Sequence, residues 1–339
     1  MSANAHPAAG PHRIVRLAAG VLLLLLAVLL SLTVGSRQIA PSEVADALLH
    51  GGTGDNAQVV LALRVPRTVI GVMVGLALAV AGVVMQGITR NPIAEPGVLG
   101  VSQGASLGVV CAIAYFGVHT PGGYLWFAFA GAGLAAVAAY AVASQGRGGA
   151  SPVKLALAGA ALNAFLASVV SGIVTTDAEV LDEFRFWDVG SISGRDGGVV
   201  AQTWPFLAAG LLLVAFLVRG LDALALGDDT ARGLGHQVLR VRILGALAAT
   251  VLTGVAVAAA GPIAFIGLAV PHIARSLVGA GHQWLLPMAA VLGPTVLLVS
   301  DVIGRVLFPP SEVPVAVMTA LLGVPFLIAL VRRKKTVAA

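Results

Sequence analysis

The sequence predicts an all-α, polytopic membrane protein with ten transmembrane helices, and three observations carry that expectation. Of 339 residues, 58% are hydrophobic and 10% are charged, whereas a soluble domain carries about 45–50% and about 25%. Mean hydropathy is +0.97, and the apolar excess runs along the whole chain instead of marking one anchor. Uncharged or nearly uncharged stretches long enough to cross a bilayer recur from residue 17 to residue 331, as a polytopic chain requires. A soluble globular enzyme is thereby disfavoured. The single cysteine, Cys111, rules out an internal disulfide and reads as a small residue of an apolar core.

The elements follow in order. Residues 17–34 are free of charge and span about 27 Å as a helix. Arg13 and Arg16 precede them as in a signal peptide. The run is longer than a usual signal core, and no small-residue cleavage site follows at Ser31–Arg37, so it is expected to stay as the first helix. The same length test places helices at about 61–85, 97–116, 123–143, 153–173, 199–219, 240–260, 264–279, 284–303 and 314–331. The segment 264–279 is short and carries Pro271, His272 and Arg275. Residues 1–16 form a cytoplasmic tail, 17–331 the membrane domain, and 332–339 a basic cytoplasmic tail.

Charge distribution fixes the expected orientation, because short cytoplasmic loops collect Lys and Arg. With ten helices and the N-terminus inside, 14 of the 20 basic residues fall on the cytoplasmic side with four acids, Glu95, Asp222, Asp228 and Asp229. The external side keeps Arg37, Arg64, Arg67, Arg185, Arg195 and Arg305 with 11 acids, many of them in Asp177–Asp196. Both termini are expected in the cytoplasm of a cell whose plasma membrane this chain crosses. The net charge of +5 reflects this topology and gives no argument for nucleic acid. Gly71, Gly75 and Ala79 share one helix face and read as a close-packing stripe.

No chemistry of its own is visible. The seven histidines, at 6, 12, 50, 119, 236, 272 and 282, form no paired metal-ligand spacing. No phosphate-binding glycine loop precedes Lys154 or the Lys334–Lys335 pair, so ATP would be bound by another polypeptide. A membrane-embedded enzyme would want paired carboxylates or a Cys/His pair near the interface, and intramembrane carboxylates are nearly absent.

Three stretches stand out. From Gly75 to Gly108 a small-residue helix ends in a turn with Asn91, Pro92, Pro96 and Gly97, where the prolines forbid a continuous helix. From Leu224 to Gly235 runs LALGDDTARGLG, in which Asp228 or Asp229 can cap a short helix and Gly233 and Gly235 can end it. A short helix exposing Leu226, Ala231 and Leu234 would need a partner surface or a groove of its own bundle. From Gly261 to Gly279 the sequence expects a break at Pro271-His272, with His272 satisfying local backbone. Arg64, Arg67 and Arg305 read as interfacial anchors that snorkel to headgroups.

With these residues the chain resembles the iron-chelate and vitamin B12 uptake permeases of bacterial ABC importers, the FecCD/BtuC-like, type II fold. The matches are RVPR at Arg64–Arg67, the run from Gln86 to Gly100, LALAGAALN at Leu155–Asn163, the loop from Leu226 to Gly235, GLAVPHIAR at Gly267–Arg275 and EVPVAVMTALLGVPFL at Glu312–Leu327. They cover the chain from about residue 60 to the C-terminus. Ala316 departs from a frequent family glycine.

The resemblance implies a permease that pairs with a second copy or a paralogue around a central pathway. Two ATP-binding subunits would dock beneath it, and an extracytoplasmic substrate-binding protein would deliver a metal chelate. The ferric siderophore class comes first, with haem or cobalamin as the alternative, and the permease itself would hold neither cofactor nor metal. By the same resemblance Arg64, Arg67 and Arg305 form an exposed external rim that docks the binding protein. Leu226, Gly227, Asp228, Asp229, Thr230, Ala231, Arg232, Gly233, Leu234 and Gly235 form the helix that couples to the ATPase, in a loop at about 220–240. Asn91 and Ile93 belong to the cytoplasmic gate together with Ser151, Pro152 and Val153, where Pro152 and Val153 depart from the hydroxyl residues of the B12 type.

Overall fold

A computed structural model describes residues 10–35, 37–145, 152–309 and 311–335. Ser151, one of the expected gate residues, lies outside them. In chain order the helices are α1 (Pro11–Thr33), α2 (Pro41–His50), α3 (Asp55–Gln58), α4 (Val65–Thr89), α5 (Val101–Phe116), α6 (Pro121–Ala143), α7 (Pro152–Thr176), α8 (Ala178–Asp188), α9 (Gly197–Ala225), α10 (Asp228–Gly233), α11 (Val238–Ala260), α12 (Ile266–Val278), α13 (His282–Leu307) and α14 (Val315–Lys335). Among the described residues the only β pairing is an isolated bridge between Phe308 and Ser311.

Every one of the ten expected segments is helical. Among the described residues seven helices are long and apolar enough to cross a membrane, and Val101–Phe116, Ile266–Val278 and Val315–Pro325 are shorter apolar helices. The second segment begins earlier than expected. α3 runs through a six-residue π-helical stretch, Val59–Arg64, into α4, giving one 35-residue helix from Asp55 to Thr89. Amphipathic α2 and α8 were not expected; both lie in segments that the charge distribution assigns to the outer side. α8 is capped by Asp177, which accepts from the Glu179 and Val180 amides.

The bundle is organised around α4. Of its best apolar window 83% is buried, against 17% for α1 and 22% for α7. The neighbours of α4 are α13, α11, α12 and α9, and glycine sets their distance. A Cβ added to Gly75 would lie 2.6 Å from the Pro294 backbone of α13, and one added to Gly293 would lie 2.5 Å from the Ala79 side chain. The stripe of Gly71, Gly75 and Ala79 is therefore the α4–α13 seam. Contact at backbone distance is how helices gain packing where lipid offers no hydrophobic drive.

The α4–α12 seam is tighter. A Cβ on Gly82 would stand 1.9 Å from the carbonyl oxygen of Gly267. The expected break at Pro271 does not occur, because α12 continues through it from Ile266 to Val278. A proline at that position has no N–H for the carbonyl four residues back. That carbonyl is Gly267, and it faces Gly82. Gly82→Ala is expected to cost about 1–3 kcal/mol through forced separation of two backbones. A lowered unfolding midpoint of the purified chain in detergent checks this, and an unchanged midpoint would mean the seam yields freely.

Candidate functional site

The motifs that stand far apart in sequence meet in pairs. At the end of the bundle assigned to the outside, Arg67 from RVPR bridges two acids, Asp301 of α13 at 2.7 Å and Glu312 before α14 at 2.7 Å. Asp301 is 1% exposed and also takes both Nε, at 2.9 Å, and Nη2 of Arg305 one helical turn on. Arg305 continues inward, donating Nη1 to the Ser31 carbonyl at 2.8 Å and Nη2 to the Ser31 hydroxyl at 2.9 Å. Arg64, at the end of the π-helical stretch, donates to the carbonyls of Leu32 and Arg37. One buried carboxylate thus joins α1, α4, α13 and the segment before α14.

The expected exposed rim of Arg64, Arg67 and Arg305 is accordingly corrected. Arg64 is 6% and Arg305 3% exposed, because their guanidiniums satisfy backbone carbonyls and Asp301 inside the fold. They line, with Arg37, Arg195 and Glu312, a hollow of about 450 Å³. Arg67 retains 12% side-chain exposure, and Arg37 is open to solvent.

Beside this region α8 is pinned by Glu183, which accepts from His119 at 2.7 Å and from the Tyr124 hydroxyl. The hydrogen bond and charge of Glu183 raise the His119 pKa above its ordinary value. A raised folded pKa contributes stability that is full below the ordinary imidazole range and fades as pH rises through the raised value. Amide exchange of residues 178–188 is therefore expected to quicken over that window in the native chain and to lose this pH dependence in His119→Gln.

At the opposite end, α10 lies across the base of the bundle. Gly227, at φ 105°, and Gly235, at φ 83°, provide the left-handed turns on either side, which L-residues resist. Asp228 takes Arg242 of α11 at 3.0 Å and Arg90, the C-cap of α4, at 3.4 Å. Ala231 is fully buried while Leu226 and Leu234 are 64% and 60% exposed. α10 is thus seated on its own bundle by one face and presents apolar residues at both ends. Asp229 and Arg232 pair with each other at 2.8 Å in solvent.

The turn after α4 is tied to α12. His272 Nε2 donates to the Pro92 carbonyl at 2.7 Å, so it satisfies the backbone of a turn distant in sequence and not, as expected, its local backbone. Gln86 accepts from Arg275 at 3.1 Å and donates to the Leu268 carbonyl at 3.5 Å. Asn91 caps the turn through its side chain, which accepts from the Ile93 amide at 3.1 Å, and Ile93 is 60% exposed. Asn163 of α7 reaches the Gly97 carbonyl at 3.0 Å. Pro152 begins α7 and Val153 is 68% exposed.

The sequence matches the profile of the FecCD transport family over residues 23–333. The chain belongs to the FecCD transport family. Its similarity to other FecCD proteins runs end to end: it is 45% identical to the ferric enterobactin transport system permease protein FepD of Escherichia coli, covering 93% of this chain and 94% of that one. It is 41% identical to the iron(3+)-hydroxamate import system permease protein FhuB of Bacillus subtilis, covering 95% and 84%. A solved metal-chelate type ABC transporter in an inward-facing conformation superposes with a TM-score of 0.81 at 29% identity, covering 94% of this chain and 99% of that one. As a FecCD protein with seven long and three shorter apolar helices, the chain is a multi-pass membrane protein.

Sequence reasoning missed the hub at the end of the bundle assigned to the outside. Asp301 was counted among external acids, yet an acid inside an apolar run with Arg305 four residues on is the signature of a paired intramembrane charge.

Proposed function

We propose that this chain is the permease subunit of an ABC importer that carries a ferric siderophore into the cell. The observation that supports it most is the chain-long similarity to permeases whose names specify ferric enterobactin and iron(3+)-hydroxamate. In this reading two permeases enclose the pathway, either two copies or a pair of paralogues. Two ATP-binding subunits meet Leu226–Gly235, and a binding protein delivers the chelate at the arginine-lined hollow. The ATPase activity belongs to the partners. All ten apolar helices cross the plasma membrane, with both termini in the cytoplasm.

The geometry suits this division of labour. Asp228 ties α10 to the ends of α4 and α11, so movement imposed on α10 reaches the central helix directly. In this reading the turn at Asn91–Ile93, bonded to α12 through Pro92, forms the inner gate together with Ser151, Pro152 and Val153. At the outer end Arg67 and Arg37 face acidic groups of the binding protein, while Asp301 and Glu312 hold Arg67 in place.

Growth and radio-iron uptake of a deletion strain, complemented with this chain and offered a panel of ferric chelates, haem and cobalamin, test the reading. Restored uptake of at least one ferric chelate is expected. Rescue by haem or cobalamin alone would replace the siderophore assignment.

A further inference from the structure

Two interruptions of helix bring irregular backbone to the middle of the bundle. The first is the segment between α4 and α5, whose 3-10 turn Pro96–Leu99 touches Gly267 through Pro96. Gly267 in turn packs on Leu78 and Gly82 of α4, which lie about 10–16 Å before that helix ends. Asn163, which holds Gly97, stands about 16 Å into α7. The second is Gly261–Phe265, where Gly261 has φ 75° and Phe265, a bulky L-residue, is held at φ 69°. Non-helical backbone at such depth is tolerated only where protein buries it or where it lines a cavity, and strain at Phe265 persists only where its surroundings impose it.

A cavity of about 510 Å³ lies between these two segments. Its polar lining is Glu95, Ser102, Gln103, Asn163 and Thr253, and Phe265 closes one wall. Thr253 is 2% exposed, and its hydroxyl has no hydrogen-bond partner among the described residues. An orphaned buried hydroxyl costs stability, and beside it the half-buried Ser102 and Gln103 of α5 offer a hydroxyl and an amide at the cavity wall. The first turn of α12, whose Ile266, Leu268 and Ala269 amides are bonded to the carbonyls of Ala264 and Phe265, adds a partial positive charge of about half a unit.

Among the described residues no Lys, Arg or His lines the cavity, and Glu95 is its only ionisable group. The partial charge of α12 is thus balanced by Glu95 and leaves nothing over to neutralise an anion. Hydroxyl and amide N–H groups recognise oxygen acceptors without requiring charge. Three singly charged hydroxamates neutralise a ferric ion, whereas three doubly charged catecholates exceed it by three negative charges.

We propose that this cavity is the chain's contact site for its cargo within the membrane, and that it takes oxygen-shelled ferric chelates without net negative charge, the tris-hydroxamate class. The inference rests on the importer reading above and narrows its substrate.

The test uses the whole importer in membranes, with the native cysteine replaced (Cys111→Ala) and a single thiol introduced by Gln103→Cys. Ser102→Cys serves as a second variant should the first fail to assemble. Labelling by a neutral maleimide is expected to slow about fivefold with a ferric tris-hydroxamate at about four times its dissociation constant, and to be unaffected by a ferric tris-catecholate. Protection by the catecholate would overturn the charge argument. Unchanged labelling at both positions while wild-type importer accumulates the hydroxamate would show that cargo bypasses the cavity. Failure of the wild type to accumulate any ferric chelate would instead remove the importer reading, and this inference with it.

Discussion

Asp301→Ala is expected to unfold the end of the bundle that carries the arginine cluster. Asp301 is 1% exposed and is the charge partner of Arg305, itself 3% exposed, and of Arg67. Removing it leaves Arg305 buried among backbone carbonyls with no anion, while Arg67 keeps Glu312. Breaking one side of a buried pair costs about 3–5 kcal/mol, chiefly because an uncompensated charge remains. The double variant Asp301→Leu with Arg305→Met is expected to recover part of that loss, since no lone charge is then left inside. Unfolding midpoints of the full chain in detergent, with the yield of monodisperse protein, measure both. A single variant as stable as the wild type would mean water reaches this end freely. The same reasoning changes what charge reversal of Arg305 would report: Arg305→Glu places two acids in one buried site and would fail in folding before any docking could be assayed.

Leu234→Asp is expected to abolish uptake while leaving the amount of protein in the membrane unchanged. Leu234 is 60% exposed at the end of α10, so a carboxylate there is solvated in the isolated chain and costs the fold little. Against a partner it would be desolvated in an apolar contact, and a single unpaired charge at the centre of such a contact is severely disruptive. Co-purification of the ATP-binding subunit should fall with uptake. Ala231→Asp provides the contrast: Ala231 is fully buried, and its replacement is expected to lower the membrane level itself. Normal uptake with Leu234→Asp would move the coupling surface elsewhere.

The positions of the ten helices were legible because apolar length is a property of contiguous residues. What joins them was legible only in part. Gly71, Gly75 and Ala79 announced a close-packed face, but nothing local said that the partner was Gly293 and Pro294. The Pro271 break was misread because a proline near the start of a helix removes one backbone bond, and here the freed carbonyl of Gly267 lies against Gly82 instead of being lost to solvent. The arginines were wrongly expected to be exposed: sequence shows that a cation sits near a span's end, not which carbonyls and acid surround it. That Glu95, Gln103 and Thr253 line one cavity escaped notice because they sit on three separate elements, and Thr253 stands in an apolar run without any flanking motif.

The contact of Gly82 with Gly267 has a mechanical side. Side chains that interdigitate act like meshed teeth, and sliding one helix along another then forces rotamers over their barriers. Where a backbone carbonyl rests on a bare glycine, there are no teeth. Such a seam resists being pulled apart and offers little friction along its length, the property of a bearing. Shear between packed helices is one of the ways proteins change shape, and α12 carries at its first turn the wall of the membrane cavity and at its midpoint the bond from His272 to Pro92. A small lengthwise slip of this one helix would therefore be felt at both places at once, with no side chain along the glycine track needing to change its rotamer.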